Sequence, residues 1–251
     1  MIDFHCHLDL YQDCAGVLSE AVRRRCLVLA VTTTPLAWNG TSQLIGKAKG
    51  VHIALGLHPE LVATRAREVD QFCQLVQQAQ FVGEIGLDGS PPHRASLSEQ
   101  LGVFRTILTA TASAGGRVMS IHSRGATTDV LMELERRREA GTAVLHWFTG
   151  TIKELQRAIE FGCWFSVGPA MLRTEKGRLL AARMPPERVL TETDGPFARN
   201  GHSPLFPWDA AEAEVLLSTI WGIDRHETER RLRGNLRSLL AETSHDKPNH
   251  R

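Results

Sequence analysis

Met1-Ile-Asp-Phe-His-Cys-His-Leu-Asp9, the first stretch of the chain, contains a short apolar run that ends in two histidines. Seven similar runs follow, and segments with helical spacing separate them. The eight predicted strands are Ile2–His7, Cys26–Thr32, Val51–Leu57, Phe81–Leu87, Arg117–His122, Ala143–Trp147, Cys163–Val167 and Val189–Asp194. Strands that are apolar along nearly their whole length and alternate with helices predict a parallel sheet that helices cover on both faces.

Eight strand–helix units in 251 residues predict a single closed (β/α)8 barrel of the α/β class. The alternative is an open doubly wound sheet, but the turn His7-Leu-Asp-Leu-Tyr11 lacks the glycines usual after the first strand of such a sheet. Ser96-Leu-Ser-Glu99 and Thr151-Ile-Lys-Glu154 predict capping boxes at two helix N-termini. We expect one barrel domain, residues 1–243, followed by a frayed tail, residues 244–251.

The composition excludes several classes of protein. A net charge of +1 argues against a protein that coats nucleic acid by bulk electrostatics, so any contact with a polyanion must be local. No apolar run approaches the roughly 18 residues that a membrane helix needs, and no basic stretch precedes the first strand. The five cysteines are odd in number and scattered, which indicates reduced thiols. We therefore expect a cytoplasmic protein without a membrane partner.

Polar side chains end one predicted strand after another. Catalytic sites of (β/α)8 barrels form where the carboxyl ends of the strands meet. Five of the eleven histidines lie at these ends, and carboxylates join them on the fourth and eighth strands. Imidazole and carboxylate groups are the usual ligands of divalent metal ions. The predicted metal ligands are His5, His7, Glu84, His122, His146 and Asp194.

Six ligands are too many for one zinc ion, which takes about four. They suit two divalent ions bridged by a carboxylate, and Glu84 is the predicted bridge because it lies on the middle strand of the set. Asp194 is expected to hold one ion and to accept the proton of the attacking water. Imidazoles favour zinc or manganese, whereas phosphate chemistry favours magnesium or manganese.

Six ordered blocks of sequence resemble the TatD family of metal-dependent deoxyribonucleases. The blocks are His5-Cys-His-Leu-Asp9, Gly56-Leu-His-Pro59, Gly83-Glu-Ile-Gly-Leu-Asp88, His122-Ser-Arg124, His146 with Phe148-Thr-Gly150, and Glu192-Thr-Asp194-Gly-Pro196. The resemblance implies a metal-dependent hydrolase barrel, two divalent ions (magnesium or manganese) and 3′-exonuclease action on single-stranded or frayed DNA. It covers nearly the whole chain.

Three stretches, Met1–Leu10, Val31–Pro35 and Cys163–Pro169, are most similar to QatD, the TatD-like component of Qat anti-phage defence systems. This closer likeness implies a role in defence, with other Qat proteins as partners. The chain departs from the family pattern in two loops over the active face. Gly89-Ser-Pro-Pro-His93 replaces a common aromatic residue, and Asn200-Gly-His-Ser-Pro204 replaces the usual Asn-Glu-Pro. The sequence therefore predicts the metal ligands more firmly than it predicts the substrate.

Further candidates lie beside the predicted ligands. His58 either contacts a substrate phosphate or caps its loop, and Arg124 either clamps a phosphate through two hydrogen bonds or forms a surface ion pair. Glu192 shares a strand face with Asp194, where it either orients a ligand or fills the barrel. Trp147 and Phe197 are candidates for stacking on a base, with core packing as the alternative for Trp147.

Two other functions remain open from the sequence. The same metal centre could hydrolyse an amide or deaminate a nucleobase, and the altered loops favour this second enzyme class. Alternatively, the chain is a catalytically silent subunit of a defence complex whose metal ions only support its structure. Because fold and ligands do not by themselves establish turnover, activity on oligonucleotides, nucleosides and cyclic amides distinguishes these cases.

Overall fold

In the computed structural model, which describes residues 1–245 with side chains up to residue 242, eight parallel strands form a barrel. The strands are β1 Ile2–Cys6, β2 Leu27–Val31, β3 Val51–Leu55, β4 Phe81–Gly86, β5 Arg117–His122, β6 Gly141–His146, β7 Trp164–Val167 and β8 Val189–Thr191. They pair in sequence order from β1 to β8, which confirms the barrel and excludes an open sheet with a reversed strand order.

Helices surround the barrel and follow the strands along the described chain. They are α1 Cys14–Arg23, α2 Trp38–Ile45, α3 Val62–Arg65, α4 Val69–Leu75, α5 Leu97–Ser113, α6 Thr127–Arg136, α7 Ile152–Phe161, α8 Pro169–Leu172, α9 Glu175–Ala181, α10 Ala210–Trp221 and α11 Arg225–His245. A small hairpin, β9 Arg199–Asn200 and β10 Ser203–Pro204, stands after β8. Of the predicted tail, Ser244 and His245 belong to α11, and residues 246–251 lie outside the described residues.

Seven of the eight predicted strands contain the observed strand, and several ladders are shorter than the apolar runs; the sixth, predicted as Ala143–Trp147, is observed as Gly141–His146. The run predicted as the eighth strand continues to Asp194, whereas β8 ends at Thr191. Asp194 has a left-handed backbone with φ of +56°, which does not fit an extended ladder. The ends of the apolar runs therefore form loops at the carboxyl-terminal mouth of the barrel.

One of the two predicted capping boxes is confirmed and the other is wrong. Thr151 accepts a hydrogen bond from the backbone of Glu154, and the Glu154 side chain accepts one from the Thr151 backbone. Ser96 makes no capping bond, because a short 3₁₀-helix, Arg94–Ser96, leads directly into α5. Its hydroxyl donates instead to His93 O at 2.9 Å.

The seam between β1 and β8 closes the barrel through hydrogen bonds from loops and side chains. Thr191 Oγ1 donates to Ile2 O, and the buried Asp3 carboxylate accepts from Thr193 N at 2.8 Å and Thr193 Oγ1 at 2.6 Å. At the mouth, the backbone N–H of Asp194 donates to His5 O at 2.9 Å. The first strand and the loop after the last strand are thereby fixed to each other.

Among the described helices, none is long and apolar enough to cross a membrane.

Candidate metal centre

Glu84 on β4 lies at the centre of the mouth, and only 1% of its surface is exposed. Its two carboxylate oxygens divide five histidines between them. Oε2 lies 3.3 Å from His5 Nε2 and 3.2 Å from His7 Nε2. Oε1 lies 2.8 Å from His122 Nδ1, 2.9 Å from His146 Nε2 and 3.2 Å from His58 Nε2. All five histidines that follow predicted strands therefore meet at one carboxylate.

Asp194 faces the two histidines of the first strand. Its Oδ1 lies 3.6 Å from His5 Nε2 and 3.5 Å from His7 Nε2. The loop that carries it is anchored because His7 N donates to Gly195 O at 2.8 Å. The left-handed backbone of Asp194 is rare for a residue other than glycine, and such conformations concentrate at functional sites. The sixth predicted ligand thus lies with the other five.

The spacing of His5, His7, Glu84 and Asp194 fits a divalent cation. The two Nε2 atoms lie 3.3 Å apart, and each lies 3.2–3.6 Å from Glu84 Oε2 and from Asp194 Oδ1. Tetrahedral ligands that each lie about 2.1 Å from one ion are roughly 3.4 Å from each other. Glu84 Oε2 is buried and has no hydrogen-bond partner among the described residues. An unpaired buried carboxylate oxygen is unusual, and a cation would satisfy it.

Glu84 Oε1, His122 and His146 form a second candidate group. Both imidazoles approach this one oxygen within 3 Å, at 2.8 and 2.9 Å. The ring of His146 stacks on that of His5 with centroids 3.8 Å apart, so the two groups are adjacent. One carboxylate therefore presents a different oxygen to each of two neighbouring sets of nitrogen donors.

His58 caps its loop, which is one of the two roles that its sequence position suggested. Its Nδ1 accepts a hydrogen bond from Glu60 N at 3.2 Å, which caps the 3₁₀-helix Pro59–Leu61. An imidazole nitrogen that accepts cannot also carry a proton, so neutral His58 carries its proton on Nε2. That nitrogen faces Glu84 Oε1. His58 is thus oriented as a hydrogen-bond donor to the centre.

Asp88, which the sequence analysis did not select, contacts the candidate ligand His122. It is fully buried, and its Oδ2 lies 2.7 Å from His122 Nε2. Its other oxygen accepts from Ser90 N at 2.8 Å, and its backbone N–H donates to Gln100 Oε1 at 2.7 Å. A carboxylate that binds the second nitrogen of a ligating histidine fixes the ring and its tautomer. The sequence does contain a signal for Asp88. It lies four positions after Glu84, and an even spacing places two side chains on the same face of an extended strand.

Glu192 holds the loop after β6. Its Oε1 accepts from Trp147 N at 2.9 Å, and its Oε2 accepts from the Ser166 hydroxyl. The distance from Oε1 to His146 Nδ1 is 3.7 Å, which is too long for a hydrogen bond but close enough for an electrostatic contact. Glu192 therefore lies behind His146, and His146 lies between it and Glu84.

Ser120 supports His5 from behind in a similar way. The Ser120 hydroxyl lies 2.7 Å from His5 Nδ1, on the far side of the ring from Glu84. Because a serine hydroxyl both donates and accepts, it can bind the ring nitrogen that does not face the centre. Sequence analysis gave no reason to select Ser120, which lies in the interior of β5.

The electrostatics of the centre favour bound positive charge. Burial alone would raise the pKa of Glu84, but His58, His146 and His5 bring it well below its ordinary value. Burial likewise opposes the charged form of His7, yet Asp194 and Glu84 raise the pKa of that imidazole to about 9. Burial and the neighbouring His146 lower the pKa of His5 to about 4. The carboxylates are thus ionised, and protons on imidazoles balance part of their charge.

A cleft of about 770 Å³ opens over these residues. Arg124, Trp147 and Phe197 line it, as does Leu10. Arg124 is exposed, Trp147 is half-buried and packs on the core, and Phe197 is exposed. These three candidate substrate contacts, together with His58, therefore share one cleft with the candidate metal ligands.

Known proteins are similar to this chain over most of its length. A family model described as TatD related DNase matches residues 2–241. Human deoxyribonuclease TATDN3 is 25% identical over an alignment of 252 residues, which includes gaps and covers 90% of this chain and 89% of that protein. The metal-dependent hydrolase YjjV of Escherichia coli is 27% identical over 213 residues, covering 78% of this chain and 79% of YjjV. A crystal structure of this E. coli TatD homologue has a TM-score of 0.85 at 25% identity and covers 95% of this chain and 97% of that one. The chain therefore belongs to the TatD family of metal-dependent hydrolases.

Proposed function

We propose that this protein is a deoxyribonuclease that removes nucleotides from the 3′ end of single-stranded or frayed DNA with the help of two divalent cations. The observation that carries the proposal is the arrangement of Glu84, whose two oxygens face two adjacent sets of histidines. A bridging carboxylate between two sets of donors is the arrangement of two-metal phosphodiesterases.

Each cation has its own set of candidate ligands. His5, His7 and Asp194 with Glu84 Oε2 would hold one, and His122 and His146 with Glu84 Oε1 would hold the other. Bound there, the two ions supply positive charge beside the phosphoryl oxygens and make a nearby water more acidic. The imidazole-rich donor set and the phosphate substrate together favour manganese, with magnesium and zinc as the alternatives.

Two side chains are placed to assist the reaction, Asp194 as a proton acceptor and His58 as a hydrogen-bond donor. Burial would raise the pKa of Asp194, but the neighbouring imidazoles of His7, His5 and His146 lower it, so the carboxylate is ionised and has a free position for a proton from water. As the water oxygen bonds to phosphorus, the bond from phosphorus to the leaving 3′ oxygen breaks. The leaving oxygen takes a proton from solvent, and the Nε2–H of neutral His58, which points into the site, is placed to donate a hydrogen bond to that oxygen.

DNA is the proposed substrate because the human relative is named a deoxyribonuclease and the matching family model describes related DNases. With a net charge of +1, the chain must contact phosphate locally. Arg124, exposed in the cleft, is the proposed local contact, and Trp147 forms part of the wall beside it. Glu192 serves this arrangement by holding the Trp147 backbone.

We extend the proposal to anti-phage defence in the cytoplasm, alongside other Qat proteins. Its support is the likeness of Met1–Leu10, Val31–Pro35 and Cys163–Pro169 to QatD. The five cysteines are free, as expected for a reducing compartment. A plaque assay with and without Asp194→Asn tests this role. An unchanged plaque count would instead favour a catalytically silent subunit.

The enzymatic proposal is tested with single-stranded oligonucleotides labelled at either end. With Mn²⁺, a strand labelled at its 5′ end is expected to shorten stepwise, whereas a 3′ label is released at once as a mononucleotide. His122→Ala is expected to lose this activity by at least about a hundredfold, the scale on which loss of a metal-site interaction acts. An intact substrate, or equal activity in wild type and His122→Ala, would refute the proposal. Nucleosides and cyclic amides in the same assay test amide hydrolysis and deamination.

A further inference from the structure

Phe197 is unusual among the aromatic side chains. It exposes 59% of its surface, whereas no other Phe, Trp or Tyr of the described residues is among the large exposed apolar side chains. It lies in the wall of the cleft that holds Glu84 and Asp194. An aromatic ring normally gains stability from burial, so a phenyl ring left open in a catalytic cleft is available to a ligand.

The Phe197 ring contacts the metal-binding cluster directly. Its centroid lies 4.8 Å from that of His7, and the two rings are nearly perpendicular, at 77°. A perpendicular neighbour covers at most one face of the phenyl ring, and the exposure shows that much of the rest is open. A flat group on the open face would therefore lie beside the cation site of His5, His7 and Asp194.

The segment that carries Phe197 is anchored on both sides. Ala198 N donates to Asp194 O at 2.9 Å, and Leu205 N donates to Ala198 O at 2.9 Å. The buried Tyr11 hydroxyl donates to Leu205 O. These bonds fix the backbone around Phe197, and the contact with His7 orients the ring, which together lower the entropic cost of stacking.

Trp147, the other candidate from the sequence, is less suited to this role. It is half-buried, packs against the hydrophobic core, and has its backbone N–H bound to Glu192. Its ring is thus largely committed to the protein. Phe197 has the larger open surface, although it is the smaller ring.

We propose that Phe197 is a stacking platform for a nucleobase adjacent to the scissile phosphate. This inference rests on the proposed function and names a base subsite within it. Every base has an aromatic face, so the platform would strengthen binding without selecting a particular base. Strands β1 and β5 lie opposite each other in an eight-stranded barrel, which places Arg124 across the mouth from the side where Phe197 contacts His7. The base and the backbone of a bound strand would therefore be held on different sides of the cluster.

The test changes the Phe197 side chain and, separately, removes a base near the 3′ end of the DNA strand. Wild type, Phe197→Leu and Phe197→Tyr are assayed on an ordinary single strand and on two strands with an abasic tetrahydrofuran nucleotide at the last or the penultimate 3′ position. On the ordinary strand, Phe197→Leu is expected to lower kcat/KM between about fivefold and about a hundredfold, the measured range for loss of one stacked base. Phe197→Tyr is expected to retain most of the activity, because it keeps the ring.

The abasic strands decide the origin of the effect. If Phe197 stacks on a base, the difference between wild type and Phe197→Leu disappears on one of them. A difference that persists on both, or no difference on the ordinary strand, would overturn the inference while leaving the nuclease proposal intact. Failure of wild type to cleave any strand would instead refute the nuclease proposal, and this inference with it. Leu179→Ala, which changes an exposed leucine on α9, is the matched control and is expected to be neutral.

Discussion

At the residue scale, Glu84 explains why so many histidines can be buried in one place. Five imidazoles approach its two oxygens, and in the absence of cations protons on imidazoles balance its charge. The sequence predicted the six candidate ligands because the residue types and the strand ends were both visible in it. It could not reveal which ring nitrogen of His58 accepts from Glu60, or that Asp88 binds His122, since these depend on ring orientation.

Asp88→Asn tests the fixed orientation of His122. The Asp88 carboxylate accepts from His122 Nε2 and from Ser90 N at the same time. An asparagine has one oxygen and one NH₂ group. Its NH₂ group must therefore face either the N–H of Ser90 or His122 Nε2, both of which donate to the aspartate in the wild type. We expect cation affinity and kcat/KM to fall by about ten- to a hundredfold. Calorimetric titration with Mn²⁺ and steady-state kinetics measure the two effects.

Asp70→Asn is the control for this substitution, because Asp70 is exposed on α4. It makes the same chemical change away from the cleft and is expected to alter neither quantity. Unchanged cation affinity in Asp88→Asn would show that the aspartate does not orient His122.

At the element scale, the strands were easier to predict than the helix starts. Apolar runs mark strands directly, whereas a capping box also needs an extended backbone at the N-cap. Thr151 has ψ of 165° and forms the box, but Ser96 has ψ of 4° because a 3₁₀-helix precedes it. Both places match the same pattern, a Ser or Thr followed three residues later by Glu. Only the preceding residues decide which one caps a helix.

Thr151→Ala removes the capping bond of α7. Loss of a threonine cap is expected to lower the free energy of unfolding by about 1 kcal/mol, which corresponds to a Tm decrease of roughly 2–4 °C for a domain of this size. Thr106→Ala makes the same change inside α5, where the hydroxyl only bonds back to Gly102 O, and is expected to be neutral or slightly stabilising. Equal Tm values for the two variants would contradict the capping role of Thr151.

At the scale of the whole molecule, closing the barrel and assembling the site are the same event. The bonds that join β1 to the end of β8 include those of His5 and His7 with the Asp194 loop. Sequence analysis predicted this convergence, since the carboxyl ends of parallel strands meet at one mouth. It did not predict the buried Asp3–Thr193 contact that completes the seam, because pairing across the first and last strands depends on register.

The metal-free protein is expected to lose stability as the pH rises from about 6.5 to 9. The pKa of His7 is raised to about 9 in the folded state, so the folded protein keeps a proton that the unfolded chain has released above its ordinary value of 6.5. Burial raises the pKa of Asp3 to about 8, which acts in the same direction. Thermal unfolding in EDTA across this range measures the effect.

Added Mn²⁺ is expected to reduce this pH dependence, because bound cations replace protons between the carboxylates and the imidazoles. A melting temperature in EDTA that stays constant or increases from pH 6.5 to 9 would show that these groups do not hold the extra protons.

The number of divalent cations bound per chain tests the central claim most directly. Elemental analysis after equilibration with Mn²⁺ and removal of free metal is expected to give about two ions for wild type, as in two-metal hydrolases. Glu84→Gln is expected to bind fewer than one, because both groups share that carboxylate. Circular dichroism would establish that the variant is folded. An equal cation content in wild type and folded Glu84→Gln would contradict a centre organised around Glu84.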